Sequence, residues 1–228
     1  MTRVITWNME GATHSSNSKW VDGVQQLLTK AEADILCLQE AGAAPPSSAA
    51  YAPPPPAPTW AGGIAPAVAW SFLTWQPGVP LYYVLWVQTD PGGNRVNLAV
   101  VTKDLPDEFR YVANAGGRPA IGVRFGTDET FTLHAQSGGG ADAPTLVTNV
   151  NAATAAGNSW DAAGDYNRQP DEWGAGGVPA GNLCPPDKAT RWKSDKKLDY
   201  MVRSGAVIEG FVIDTLVLSD HFPVIFDV

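Results

Sequence analysis

Cysteine is almost absent: Cys37 and Cys184 are the only two among 228 residues. Cys37 lies inside the apolar run from Asp34 to Gln39, which reads as a buried strand, so a small core residue is favoured over a disulfide partner, and no zinc site can be built on this pair. Charge is scarce as well. Only 17% of residues are charged while 44% are hydrophobic, a composition that supplies a core and excludes a disordered chain or a coiled coil. Basic side chains are in the minority, 15 Lys and Arg against 23 Asp and Glu, for a net charge of −8. Such a chain does not hold nucleic acid by charge alone, because neutralising phosphates needs Lys and Arg. An enzyme that meets phosphate through a metal remains open. No run approaches the roughly 18 apolar residues of a membrane span. No basic and apolar leader precedes the first expected strand, which says little about export.

Glycine, proline and aromatics are plentiful. The 23 Gly and 19 Pro predict many turns and long connections, and nine Trp and six Tyr favour strands over a helical bundle. The length fits a single domain over residues 1–228. Val4 to Trp7 reads as a short strand ended by Asn8. Ser18 has the chemistry of an N-cap, and Trp20, Val21, Val24, Leu27 and Leu28 recur at helical spacing up to Lys30. A second strand, Asp34 to Leu38, runs into Gln39-Glu40. A Pro/Ala-rich stretch at about 41–66 then reads as a surface excursion, extended or polyproline-like at Pro53 to Pro56. Further strands are expected at Ala69 to Trp75, Leu81 to Gln88, Val96 to Thr102, Ala120 to Phe125 and Thr130 to His134. A helix from Pro144 to about Ala155, a strand ending near Gly164, a long loop from Asp165 to Lys197 and strands at Leu198 to Val202, Gly210 to Val217 and Pro223 to Val228 follow. No internal repeat is found. Two packed, mostly antiparallel sheets with helices outside, an α/β sandwich, is the expected architecture.

The informative feature is where strands stop. Asn8, Glu40, His134, the pair Asp165 and Asn167, and Asp220-His221 all sit at strand ends, where a rigid sheet mounts functional groups. Singly each has a plain structural reading: Asn8 caps a turn, Glu40 is a solvated edge residue, His134 is a satisfied core histidine. The third histidine, His14, reads as an exposed loop residue. Together they predict one cleft. Hard oxygen donors suit Mg²⁺, Mn²⁺ or Ca²⁺, and an imidazole tuned by a carboxylate suits base catalysis near neutral pH. Phosphate ester hydrolysis needs both, with charge neutralised at phosphorus and a water deprotonated.

The pieces Thr6-Trp-Asn8, Ser18-Lys-Trp20, Ala33-Asp-Ile-Leu36, Gln39-Glu-Ala-Gly42, Asn94-Arg-Val-Asn-Leu-Ala-Val100, Arg118-Pro-Ala120, Gly126-Thr-Asp128, Leu133-His-Ala135, Gly164-Asp-Tyr-Asn-Arg168, Leu198-Asp-Tyr200 and Ser219-Asp-His-Phe-Pro-Val224 follow one another from end to end. In that order they resemble the endonuclease/exonuclease/phosphatase superfamily, which includes deoxyribonuclease I, and within it most of all the catalytic B subunits of cytolethal distending toxins. The resemblance implies a four-layered α/β sandwich and a metal-dependent nuclease that nicks DNA. It implies that Glu40 binds the metal with Asn8 beside it, and that Asp220 contributes to the metal region. Asp165 and Asn167 would orient the attacking water and a phosphate oxygen. Asp199 would polarise His221, His134 would be the other catalytic imidazole, and Arg95 and Arg118 would contact substrate phosphates. Mg²⁺ is the expected ion, with Mn²⁺ or Ca²⁺ as alternatives, and no stably bound organic cofactor is expected.

Two departures stand out. Deoxyribonuclease I has an acid partnering its first histidine on the strand that corresponds to Leu81-Tyr-Tyr-Val84, and here no acid precedes Asp90. Tyr82, Tyr83 or a backbone carbonyl is expected to orient His134 instead. The run Asp187 to Lys197 holds five basic and two acidic residues, and reads either as a solvated loop or as a phosphate-facing rim with Trp192 as a stacking or packing aromatic. Phosphoinositide phosphatase activity and a non-catalytic binding role are the alternatives on the same scaffold. Companion delivery subunits and a secreted, toxin-like effector are what the resemblance implies for partners and location.

Overall fold

The computed structural model describes residues 1–11 and 18–228; His14 lies outside the described residues. The strands among these are β1 (Arg3–Asn8), β2 (Ile35–Gln39), β3 (Ala49–Ala50), β4 (Thr59–Trp60), β5 (Trp70–Trp75), β6 (Tyr82–Val87), β7 (Leu98–Thr102), β8 (Glu108–Val112), β9 (Ala120–Phe125), β10 (Asp128–His134), β11 (Ser159–Asp165), β12 (Asn182–Cys184), β13 (Asp199–Arg203), β14 (Phe211–Val212) and β15 (Val224–Asp227). One sheet has the order β14-β15-β1-β2-β7-β6-β5-β3 and the other β12-β13-β11-β10-β9-β8-β4. Pairing is mostly antiparallel. The exceptions are β1 with β2, β10 with β11 and β4 with β8.

Alternation along the central strands explains the layering. In β1, Val4 joins the core that holds Cys37, Val100, Phe131 and Leu133, while Ile5 and Trp7 point the other way. That outer face is covered by Trp20, Val24, Leu27 and Leu28, which belong to a π-helical stretch, Lys19–Val24, continued by the short helix α1 (Gln25–Thr29). Helix α2 (Ala143–Ala153) buries Leu146, Val147 and Val150 against the second sheet. Helix, sheet, sheet and helix make the four layers. Fully burying each large apolar side chain contributes about 1.5–3 kcal/mol.

Several boundaries differ from the sequence reading. Ser18 has helical dihedrals, φ −67° and ψ −37°, so the helical turn includes it. Strand β8 is additional to the expected strands, and in the stretch Gly210 to Val217 Phe211–Val212 pairs along β15 while Gly210 bridges Pro186. The excursion at 41–66 is stitched to both sheets rather than floating. Its β3 lies on β5 and its β4 on β8, covering one edge of each sheet, and Trp60 packs between Trp70 and Phe109 at centroid distances of 5.2 and 5.3 Å. Covered edges are protected from pairing with other chains.

Candidate active site

Two parallel pairs place the site. Because β1 runs with β2 and β10 with β11, the C-terminal ends of all four strands open on the same edge of the sandwich. The register sets His134 opposite Asp165, and Asp165 opposite Asp199 on the antiparallel β13, so three titratable groups form a row across the second sheet. In the first sheet Asn8 lies opposite Gln39. Gly164 lets β10 and β11 approach, since a Cβ there would sit 2.1 Å from the Leu133 carbonyl oxygen. Asn8 ties the sheets together, its Nδ2 donating to Asp165 Oδ2 at 2.8 Å and to Glu40 Oε1 at 3.4 Å. Beneath this floor, buried Gln39 Nε2 donates to Thr132 Oγ1 at 2.7 Å and to Thr6 Oγ1 at 3.0 Å. A buried amide so satisfied stabilises one inter-sheet register.

His221 is held from three sides. Its Nδ1 lies 2.7 Å from Asp199 Oδ2, its N–H donates to Ser219 Oγ at 3.1 Å, and its carbonyl accepts from Trp7 Nε1 at 3.0 Å. Thr190, fully buried, donates its hydroxyl to the same Asp199 Oδ2 at 2.6 Å and accepts from the N–H groups of Leu198 and Asp199 at 3.0 and 3.1 Å. The chain Thr190, Asp199, His221 fixes which ring nitrogen faces the cleft. Sequence reasoning misses Thr190 because it lies inside a loop with no strand end to mark it.

Burial disfavours charge on His221, but Asp199, by charge and hydrogen bond, and then Asp165 and Asp220 outweigh it and raise its pKa to about 9. Burial together with the charge of Asp199 pushes Asp165 up to about 7. His134 moves the opposite way, well below the usual imidazole value, through burial and the positive charges of Arg118, His221 and Arg95. Two imidazoles in one site are thus pushed apart, the pattern by which enzymes divide acid and base roles.

The cleft of about 500 Å³ is lined by Asn8, Glu40, Arg95, Arg118, His134, Asp165, Asn167, Asp220 and His221, with Glu10, Arg191 and Lys193 among the further lining residues. Asp199 sits behind His221, fully buried. Nine of the ten predicted residues therefore share one cavity, and the tenth supports it. Arg95 pairs with Glu40 Oε2, its Nη2 at 2.9 Å and Nε at 3.0 Å, and Arg118 Nη1 donates to the Ala135 carbonyl at 3.1 Å. Asn167 donates its side-chain amide to the same carbonyl at 2.9 Å and its backbone N–H to Asp165 Oδ1 at 2.8 Å. Glu40 and Asn167 have φ of 48° and 49°, a left-handed conformation uncommon outside glycine and concentrated at functional sites. Neither Tyr82 nor Tyr83 hydrogen-bonds to His134. Tyr82 belongs to the outer apolar cluster and Tyr83 packs near Tyr51 and Phe72. His134 Nδ1 is buried without a partner among the described residues, while Nε2 faces Asp165 Oδ2 at 3.5 Å and Glu40 Oε1 at 3.8 Å.

Ligand atoms of Asp165, Asp199 and His221 lie within 4.8 Å of one another, the grouping among the described residues that can hold a metal ion. Its Asp199–His221 side is already closed by a hydrogen bond, whereas the other Asp199 oxygen, Oδ1, is buried and unpartnered among the described residues. Glu40 and Asp220 add hard oxygens at the cleft. Each carries cationic partners, Arg95 on the first, and Arg191 at 3.2 Å and Lys193 at 3.7 Å on the second, so a bound cation competes with them. A second cavity, about 420 Å³, opens at the opposite edge. Its Asp34 and Asp161 are already paired, with Lys103 and Arg203, and it offers no imidazole.

Comparison with known proteins bears on this geometry. The model of the Endonuclease/Exonuclease/phosphatase family matches residues 5–221. The chain is 34% identical over 246 residues to the B subunit of the cytolethal distending toxin of Escherichia coli, covering 97% of this chain and 90% of that protein. It superposes on the crystal structure of cytolethal distending toxin from Actinobacillus actinomycetemcomitans with a TM-score of 0.85 at 30% identity, covering 98% of this chain and 97% of that one. A structure of the biologically active subunit of cytolethal distending toxin gives a TM-score of 0.83 at 32% identity, with 98% and 96% covered.

Proposed function

Since the chain belongs to the endonuclease/exonuclease/phosphatase family, we propose that it is a divalent-metal-dependent phosphodiesterase whose substrate is DNA, nicked in the manner of a genotoxin subunit. The observation that carries this reading is the row His134, Asp165, Asp199 at one sheet edge, with Asp199 hydrogen-bonded to His221 at 2.7 Å. Asp199 holds Nδ1–H of His221, so Nε2 faces the cleft; with its pKa raised to about 9 by Asp199, Asp165 and Asp220 the ring carries a proton at neutral pH, and it would take one from the attacking water only once a bound cation offsets those carboxylates. Asp165, steadied by Asn8 and by the Asn167 N–H, orients that water. Arg95 and Arg118 offer guanidinium donors to the phosphate oxygens. His134 presents Nε2 toward the leaving oxygen. Glu40, with Asn8 beside it and Asp220 across the cleft, would hold Mg²⁺, Mn²⁺ or Ca²⁺, which supplies charge neutralisation at phosphorus.

The similarity to toxin B subunits supports a delivered effector working with companion chains. No helix among the described residues is long and apolar enough to cross a membrane. A phosphoinositide phosphatase on this scaffold would use the same floor. Supercoiled-plasmid nicking measured beside phosphate release from phosphoinositides, under one metal, separates the two: the proposal expects nicking, and phosphate release without nicking contradicts it.

A further inference from the structure

The basic run before Asp199 is a tight turn, with Arg191 N and Thr190 N donating to the Lys196 carbonyl at 3.0 and 2.9 Å and Ser194 N to the Arg191 carbonyl at 3.2 Å. Its cations divide by direction. Lys188 pairs with Asp214, and Lys197 donates to the Pro186 carbonyl at 2.7 Å, whereas Arg191 and Lys193 line the catalytic cleft. Between them Trp192 leaves 50% of its surface open. The ring is not loose: its Nε1 donates to the Ser219 carbonyl at 3.2 Å, two residues before His221, and Lys193 Nζ stands 5.4 Å from the ring centroid. A half-exposed indole fixed by its polar edge beside a catalytic loop presents a ready π-face.

Its position in the fold matters. Arg95 and Arg118 precede β7 and β9, on one side of the floor strands, while the turn precedes β13 and touches the segment before β15, on the other side. The two pairs of cations therefore stand on opposite banks of the floor. Lys193 is paired with Glu10, with 47% and 36% of the two side chains exposed, and exposed ion pairs are weak, so an incoming phosphate can take this cation over, while Arg191 stays on the buried carboxylate of Asp220.

We infer that the tip Arg191-Trp192-Lys193 is a second-bank subsite for a nucleic acid strand. Trp192 stacks on a base flanking the scissile phosphate, and Lys193 meets the neighbouring phosphate. This rests on the nuclease reading and deepens it: the substrate is a polynucleotide that crosses the cleft from bank to bank. A lipid head group bound at the floor has no base to lay on Trp192.

Trp192→Ala and Trp192→Phe are compared with wild type on plasmid DNA and on methyl p-nitrophenyl phosphate, a diester without bases, with thermal melting as the folding control. The expected result is a roughly tenfold rise in KM for DNA in Trp192→Ala, a change below about twofold on the small diester, and substantial recovery in Trp192→Phe, which keeps a π-face. An unchanged KM for DNA overturns the inference while leaving the nuclease reading intact. Equal losses on both substrates overturn it too, because Trp192 would then act only by holding the His221 loop. Wild type that cleaves neither substrate removes the nuclease reading and this subsite with it.

Discussion

The Thr190 hydroxyl is a donor that Asp199 Oδ2 shares with His221. Removing it without changing volume, as Thr190→Val, leaves a buried carboxylate one hydrogen bond short. Charge-assisted bonds are worth about 1.5–3 kcal/mol, so the expected outcome is a roughly tenfold or greater fall in kcat/KM with an altered pH profile, and Thr190→Ser restoring most of it. A Val variant with the wild-type profile would remove Thr190 from the account. His221 also links pH to stability. Its folded pKa of about 9 lies above the unfolded value of 6.5, so its contribution is fully present below pH 6.5 and is lost as pH rises through 9. Asp165, raised to about 7, has completed its own loss by then. In the presence of chelator, unfolding free energies from denaturant titrations between pH 7 and 9.5 are expected to fall by on the order of 2 kcal/mol in wild type and to stay nearly flat in His221→Gln. Equal slopes in the two proteins would contradict the Asp199–His221 pairing.

At the scale of the element, the site depends on how closely β10 and β11 lie. Gly164→Ala puts a methyl 2.1 Å from the Leu133 carbonyl, which only a backbone shift can relieve. A loss of about 2–4 kcal/mol in urea unfolding is expected, and a variant as stable as wild type would show that the strands part without cost. How much of this is legible in the sequence follows from the same geometry. Asn8, Glu40, His134 and Asp165 each end an apolar run, so period and polarity are enough to mark them. Strand β8 is hidden because Glu108-Phe-Arg-Tyr-Val112 mixes charge into the pattern: Arg110 is buried and neutralised by Glu108 on the same strand at 3.3 Å and by Glu129 of β10 at 2.7 Å, and the second of these pairings crosses strands, which no local pattern reveals. Thr190 is hidden for the same reason, since Asp199 is brought to its hydroxyl only by the fold. The stretch 210–217 reads as too long a strand because its apolar residues suit an edge that pairs with β15 at just two positions.

For the whole molecule, a net charge of −8 taken alone counts against nucleic acid. The structure shows where the acids lie: Glu40, Asp165, Asp199 and Asp220 gather at the cleft, with Arg95, Arg118, Arg191 and Lys193 as its cationic rim. With so few cations facing the cleft, the protein should turn DNA over without gripping it. A log–log plot of DNA affinity against salt is expected to have a slope no steeper than about −4, and a much steeper slope would mean contacts beyond this cleft. Metal-dependent catalysis by the two imidazoles is tested most directly by nicking of supercoiled plasmid by the wild-type protein and by His134→Ala and His221→Ala, each with Mg²⁺ and with chelator. Mg²⁺-dependent nicking by wild type, none with chelator, and a loss of at least about a hundredfold in both variants are expected. Wild-type rates in either variant, or nicking that persists in chelator, would contradict it.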